Sequence, residues 1–371
     1  MRGGERVLHE IALLYPDADL YTLFHVPGTT TPEIEDRRVI ASPLSRLPGV
    51  ENYYRMLLPL FPWAIRRFDL STYDLVISCS HAVAKSVRIG PNTAHLSYCL
   101  TPMRYIWDQI DAYQGRGIKR ALATPITHYL RRFDQRTSRA ADVTRFVAIS
   151  TEVNERIKRH YGRESGLVFP PVDTLGQSER RADTTVTATN YLMVGGFVPY
   201  KMETLAIEAF RNSGRSLTIA GDGPSRKQLE ATAPANVRFL GRVSDHELQR
   251  LYATSKALIY PQQEDFGIIA VEAQAAGCPV IAYEAGGARD TVRAFTASGD
   301  GRIRKPTGVT FSEQSPASLN QALDSFEANS DQFDSKCIQD WAADFGVERF
   351  RKEFRAEVDG LLEERETIES S

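Results

Sequence analysis

The sequence predicts an α/β protein with two parallel sheets, each covered by helices on both faces. Three observations lead there. Apolar runs such as Tyr73-Asp-Leu-Val-Ile-Ser-Cys-Ser80 alternate with turn residues and helical patterns, as buried parallel strands do. The alternation breaks at a polar, poorly patterned stretch, 176–189, just after Pro170-Pro171. A length of 371 residues also suits two cores better than one.

The elements follow in order. The first helix is expected over 4–15 and a short strand over 19–24. The strand at 73–80 leads into a helical start at His81-Ala-Val-Ala-Lys85. Further strands are expected at 94–99 and 145–149, the latter entering a helix over 151–161 through Ser150 as N-cap. The second series has strands at 191–194, 216–220, 237–240, 257–260 and 279–283, with a helix over 201–212 after a Gly-Gly turn. The prolines near 170–173 stiffen the connection and mark a hinge. The boundaries expected are 1–172, 173–345, and a closing helix over 346–371 with apolar residues at 347, 350, 354, 358 and 361.

Composition narrows the class. No run approaches the roughly 20 apolar residues of a membrane-crossing helix, and residues 1–5 show no leader-like apolar region. Cys79, Cys99, Cys278 and Cys337 are scattered without metal-ligand spacing, as free cytosolic thiols are. The net charge of −2 conceals an asymmetry: residues 1–170 hold 23 Lys/Arg against 17 Asp/Glu. Basic residues crowd between Arg104 and Arg145, including Arg116, Lys119, Arg120, Arg131, Arg132, Arg136 and Arg139. They form either solvated helix faces or a surface for an anionic partner, such as lipid headgroups or a phosphorylated acceptor. No nucleic-acid motif is present.

The sharpest constellation is Tyr260-Pro-Gln-Gln-Glu264-Asp265-Phe266-Gly267-Ile268-Ile269-Ala270-Val271-Glu272. A strand ends at Tyr260, and a loop closing on glycine starts a small-residue helix. Ligands of open α/β sheets bind at such carboxyl ends. Backbone N–H groups at Gly267, Ile268 and Ile269 would donate to an anion, and a diphosphate suits them. Glu264 and Glu272 would accept from hydroxyls on either side; acids near a helix start also serve simply as caps.

These residues resemble the E-x7-E motif of family-4 (group 1) retaining glycosyltransferases, which have the GT-B fold of two facing Rossmann-like domains. Val194-Gly195-Gly196-Phe197-Val198-Pro199-Tyr200-Lys201, Ala220-Gly-Asp-Gly-Pro224, Phe239-Leu-Gly-Arg-Val243 and Glu284-Ala-Gly-Gly287 are similar to further motifs of that family, in the same order. Met1-Arg-Gly-Gly-Glu5, Ser80-His-Ala-Val-Ala-Lys85 and Thr101-Pro-Met-Arg-Tyr105 resemble a subgroup, several members of which use GDP-mannose. The cysteines point to the cytoplasm, the basic N-terminal half to a peripheral site at the inner face of the cell membrane, and the resemblance to an enzyme. It would move a hexose, mannose first, from a nucleotide sugar to a lipid-linked or polysaccharide acceptor, with retention and without a metal or other cofactor.

Roles follow from the same resemblance. Lys201 would pair with the donor diphosphate. Glu264 and the backbone of Phe266, Gly267 and Ile268 would hold the sugar, and Glu272 the ribose. Gly195 and Gly196 would line the phosphates, Gly3 and Gly4 would close over them from a loop, and Val243 would contact the base. The last helix would cross back to the first domain.

The chain departs from the family at three points. The family has a strand ahead of the Gly3-Gly4 loop, so the first strand is apparently missing and a central sheet position would stand empty. Leu100 replaces a histidine that lies near the reacting sugar, and His95, five residues earlier, does not substitute for it. Gly196 replaces a common arginine. Two other readings therefore stand beside the enzyme: a homologue that binds nucleotide sugar or a partner transferase without turnover, and another GT-B enzyme such as an epimerase. His81 is expected to pack, Met56–Ile65 to join a core or an interdomain contact, and Asp108 and Asp111 to be solvated.

Overall fold

The computed structural model describes residues 3–108, 118–174, 189–295 and 305–369. The chain divides into two compact units, one formed by residues 1–171 with 350–371 and the other by residues 172–349. Asp111, Arg116 and most of the polar stretch 176–189 lie outside the described residues.

In the first unit, helix α1 (Gly3–Leu14) precedes strands β1 (Leu20–Thr22) and β2 (Val39–Ala41), which pair in parallel as a small sheet. A second, all-parallel sheet has the order β3 (Leu75–Ser80), β4 (Ala94–Cys99), β5 (Arg145–Ala148), β6 (Ser165–Leu167). Strand β4 is buried at all six positions, as expected of a strand with neighbours on both sides and covered faces. Its His95 is fully buried, with Nδ1 2.6 Å from the Asp142 carbonyl and Nε2 2.9 Å from Ser78 Oγ. Burial pushes this imidazole down to about 4. Helices α2 (Ile118–Arg136) and α3 (Thr151–Tyr161) follow. Ser150 Oγ accepts from Val153 N–H at the start of α3, and Gly162 in the left-handed region ends it.

The second unit holds a six-stranded parallel sheet among the described residues. Its order is β12 (Gly308–Phe311), β11 (Val280–Tyr283), β10 (Leu258–Tyr260), β7 (Asn190–Val194), β8 (Ser216–Ala220), β9 (Val237–Gly241). Successive side chains of β7 alternate between two apolar clusters: Tyr191 and Met193 join Phe210, Ile219 and Phe311, whereas Leu192 joins Tyr252, Tyr260 and Ala273. The period of two thus buries both faces of the sheet. The covering helices are α4 (Glu203–Phe210), α5 (Asp245–Thr254), α6 (Ile268–Ala275), α7 (Pro316–Ala328) and α8 (Ser335–Ala343). Ser244, Ser315 and Asp334 cap α5, α7 and α8.

The closing helix α9 (Val347–Glu369) returns the chain to the first unit. Spacings of four, four and three put Phe350, Phe354, Val358 and Leu361 on one face, and all four are buried. Phe350 and Phe354 meet the Tyr98 ring edge-on at 5.8 and 5.6 Å. Arg351 reaches Glu10 of α1 at 2.7 Å, and Arg145 donates to the Glu357 carbonyl at 2.9 Å.

Several expectations are corrected. Gly3 and Gly4 form the first turn of α1 rather than a loop. After β3 only a 3-10 turn forms, at Ala84–Ser86, and His81 is exposed rather than packed. The helix expected over 201–212 is split: Met202 adopts φ 61°, so a 3-10 turn at Pro199–Lys201 stops there and α4 starts afresh. The apolar stretch at Met56–Ile65 divides. Phe61, Pro62, Ala64 and Ile65 are buried, but Met56, Leu60 and Trp63 are 80%, 45% and 47% exposed. The short strands β2, β6 and β12 were not expected.

Candidate active site

The strand order of the second unit reverses at β7, whose neighbours β8 and β10 lead the chain away in opposite directions. A crevice opens at the carboxyl ends of strands where order reverses in this way. Two loops leave the sheet there: Gly195–Lys201 after β7 and Pro261–Gly267 after β10.

The first loop is a tight turn. Val198 N–H donates to the Gly196 carbonyl at 2.8 Å, and Phe197 N–H to the Asp222 carbonyl at 3.2 Å, while the Phe197 ring is fully buried. Gly195 and Gly196 stay half-buried. Lys201 ends the 3-10 turn with its side chain 11% exposed and folded back over Gly195, where an added Cβ would stand 3.7 Å from Lys201 Cδ. The left-handed Met202 turns the chain out of this cation's way and into α4.

The second loop delivers the partner. Lys201 Nζ is ion-paired with Glu264 Oε1, and Tyr260 O–H donates to Glu264 Oε2 at 2.7 Å. Both oxygens of one carboxylate are thus held, by a cation from β7's loop and a phenol from the end of β10. The loop is supported from behind: Gly287 N–H donates to the Glu264 carbonyl at 2.9 Å. Phe266 is buried and meets Phe345 at 5.8 Å.

Gly267 caps α6 at φ 90°, a backbone region that favours glycine, and an added Cβ would come within 2.6 Å of the Tyr260 hydroxyl. No side chain caps α6. The opening N–H groups of a helix have no partner inside it, and those of α6 follow directly on the loop that carries Glu264. Glu272 follows on α6 and is half-buried. Val243 packs against the Leu192–Tyr252 cluster.

Sequence reasoning missed two members of this group. Tyr260 was taken only as a strand end, yet an aromatic hydroxyl four residues before Glu264 was a readable signal. Glu203 opens α4 at 4% exposure, and its Oε1 finds no hydrogen-bond partner among the described residues. Burial pushes this carboxyl up to about 7, opposed by the N–H groups of Glu203 and Val198 and by the charge of Lys201.

Gly3 and Gly4 belong to the first unit. Gly4 lies against Leu100, the residue after β4, whose Cδ1 would stand 2.9 Å from an added Cβ. His95 is locked inside β4's core. Among the described residues no three His, Cys, Asp or Glu side chains gather as metal ligands do.

Residues 179–340 match the family model described as glycosyl transferases group 1. The D-rhamnosyltransferase WbpZ of Pseudomonas aeruginosa is 31% identical over 140 residues, which cover 36% of this chain and 34% of that protein. The GDP-mannose-dependent alpha-mannosyltransferase of Mycolicibacterium smegmatis is 40% identical over 101 residues, 27% of this chain and 26% of that one. The chain thus spans about a third or less of these relatives. The solved structure of Anabaena Alr3699/HepE with UDP and glucose superposes with a TM-score of 0.63, covering 96% of both chains at 16% identity. The fold is therefore that of the GT-B glycosyltransferases.

Proposed function

We propose, from the match of residues 179–340 to the glycosyl transferases group 1 family model, that the protein is a retaining hexosyltransferase that draws on a nucleotide-diphosphate sugar. The observation that carries the proposal is the Lys201–Glu264 pair beside the Gly267 end of α6. A diphosphate competes with Glu264 for Lys201 and for the helix N–H groups. Glu264, released from the lysine but still held by Tyr260, turns to the hydroxyls of the transferred sugar. Glu272 holds the ribose, and Val243 borders the base. Charge stabilisation of the departing diphosphate supplies the catalysis, while a donor phosphate oxygen takes the acceptor's proton. The reaction needs no metal in this scheme.

Mannose remains the first donor sugar to test, supported by the subgroup resemblance of the N-terminal motifs. The acceptor is lipid-linked or a saccharide, met at the inner face of an anionic membrane. Supporting that reading, Met56, Leu60 and Trp63 are exposed beside Arg55 and Arg67, with the Arg67 guanidinium 5.0 Å above the Trp63 ring. No helix among the described residues is long and apolar enough to cross a membrane.

Calorimetry with GDP-mannose, UDP-glucose and UDP-GlcNAc, on the protein and on Glu272→Ala, tests the proposal. One donor should bind at micromolar concentration, lose affinity in the variant, and be hydrolysed slowly. No binding by the folded protein would refute it.

A further inference from the structure

Lys201 shares its charge with two carboxylates. Glu264 pairs with it from the loop after β10, and Glu203, the first residue of α4, acts on it from the following turn. Carboxylates are rarely buried unless paired. Glu203 breaks that pattern: it is 4% exposed, and its Oε1 has no hydrogen-bond partner among the described residues. Its carboxyl reaches back across the Pro199–Lys201 turn to the Val198 N–H and to its own N–H. The Val198 N–H also donates to the Gly196 carbonyl at 2.8 Å, so the carboxyl touches the same turn that joins β7 to Lys201.

The charged groups of the neighbouring elements are engaged elsewhere. On α4 itself, Glu208 is held by Arg211 at 2.9 Å. On α7, which shares an apolar cluster with α4, Arg215 holds Asp324 and Glu327 at 2.5 and 2.7 Å. Asp222, after β8, lies 3.9 Å from Arg226. In the loop after β10, Glu264 is taken by Lys201 and Tyr260, and Asp265 has a partner too. The charge that acts on Glu203 is that of Lys201, and Glu264 already draws on it. Burial prevails, and the carboxyl is pushed up to about 7.

We propose that Glu203 is a proton switch on donor binding: protonated, it leaves the charge of Lys201 to the donor diphosphate, and ionised, it sets a buried negative charge against that ligand. The role rests on Lys201 meeting a donor diphosphate, as in the proposed function. The diphosphate brings negative charge to the lysine whose field had favoured the ionised carboxyl. That support is lost, and Glu203 takes up a proton from solvent as the donor binds. Linkage then fixes the sign. Bound donor raises the carboxyl further, so affinity is full at acid pH and falls as pH rises through 7. A carboxyl that only clasped the turn would give affinity no such slope.

Calorimetry of donor binding from about pH 6 to pH 8.5 tests the switch, on the protein and on Glu203→Gln, whose amide keeps the neutral shape at every pH. GDP-mannose, UDP-glucose and UDP-GlcNAc are the probes, because their diphosphates carry no titrating proton in that range. In the unaltered protein Kd should rise about five- to tenfold from pH 7 to pH 8.5, and in Glu203→Gln it should stay within about twofold. Binding heats at about pH 7.5, compared across buffers of different ionisation enthalpy, should show about half a proton taken up by the unaltered protein and none by the variant. An uptake near zero in the unaltered protein overturns the switch even if Glu203→Gln misfolds. The same pH slope in both proteins also overturns it, and leaves the donor reading standing. A folded protein that binds none of the three donors at any pH overturns the donor reading, and the switch with it.

Discussion

Replacing Glu203 with glutamine isolates one ionisation next to the candidate site. The carboxyl is 4% exposed, and burial carries it from 4.5 to about 7. Between those values the folded protein binds a proton that the unfolded chain has released, so stability falls as pH rises. The stabilising proton is fully bound below pH 4.5 and lost through pH 7. A shift of that size corresponds to about 3 kcal/mol at pH 8. Glutamine mimics the protonated acid in shape: its carbonyl still accepts from the N–H groups that lower the carboxyl, and its amide stands where Oε1 lacks a partner. Urea unfolding of the protein and of Glu203→Gln, from about pH 4 to pH 8.5, should give nearly equal stabilities at the acid end. The variant should gain about 3 kcal/mol at the alkaline end. A stability difference independent of pH would refute the argument and mean that Glu203 is ordinarily solvated.

Three other outcomes are expected. Phe354→Ala empties a fully buried site against Tyr98 and should cost about 3–5 kcal/mol, read by urea unfolding. His95, held neutral at about 4, gives full stability above pH 6.5. That stability falls by up to about 3 kcal/mol as pH drops through 4, and His95→Gln should flatten this part of the acid profile. Lys201→Met should lower donor hydrolysis by about 10²–10³-fold with the fold intact by circular dichroism, and Tyr260→Phe should lower it less; unchanged rates would remove both from the site.

Much of the fold was legible because long elements carry strong periodicity. Ser150 before 151–161 and the four-residue spacing of Phe350, Phe354 and Val358 each predicted an element that formed. The short strands β2, β6 and β12, of three or four residues, are too brief for a period of two to stand out. Met202 lacked the glycine that would have announced a left-handed residue. The motif residues at Lys201 and Glu264 could be singled out, but their pairing across 63 positions depends on β7 lying beside β10. Sheet order is a tertiary fact that neither segment encodes alone. An acid at a helix start reads as a cap, so nothing local marked Glu203 as buried.

The return of α9 to the first unit has a consequence for how the protein is made. Tyr98 emerges from the ribosome early, but Phe350 and Phe354, which cover it, are separated from the rest of that unit by residues 172–349. At ordinary translation speed those residues take roughly 10–40 s to synthesise. The second unit has all of its own sheet by then and can fold while still attached. The first must wait with an aromatic face uncovered, so nascent chains stalled before residue 350 should be the species that chaperones hold.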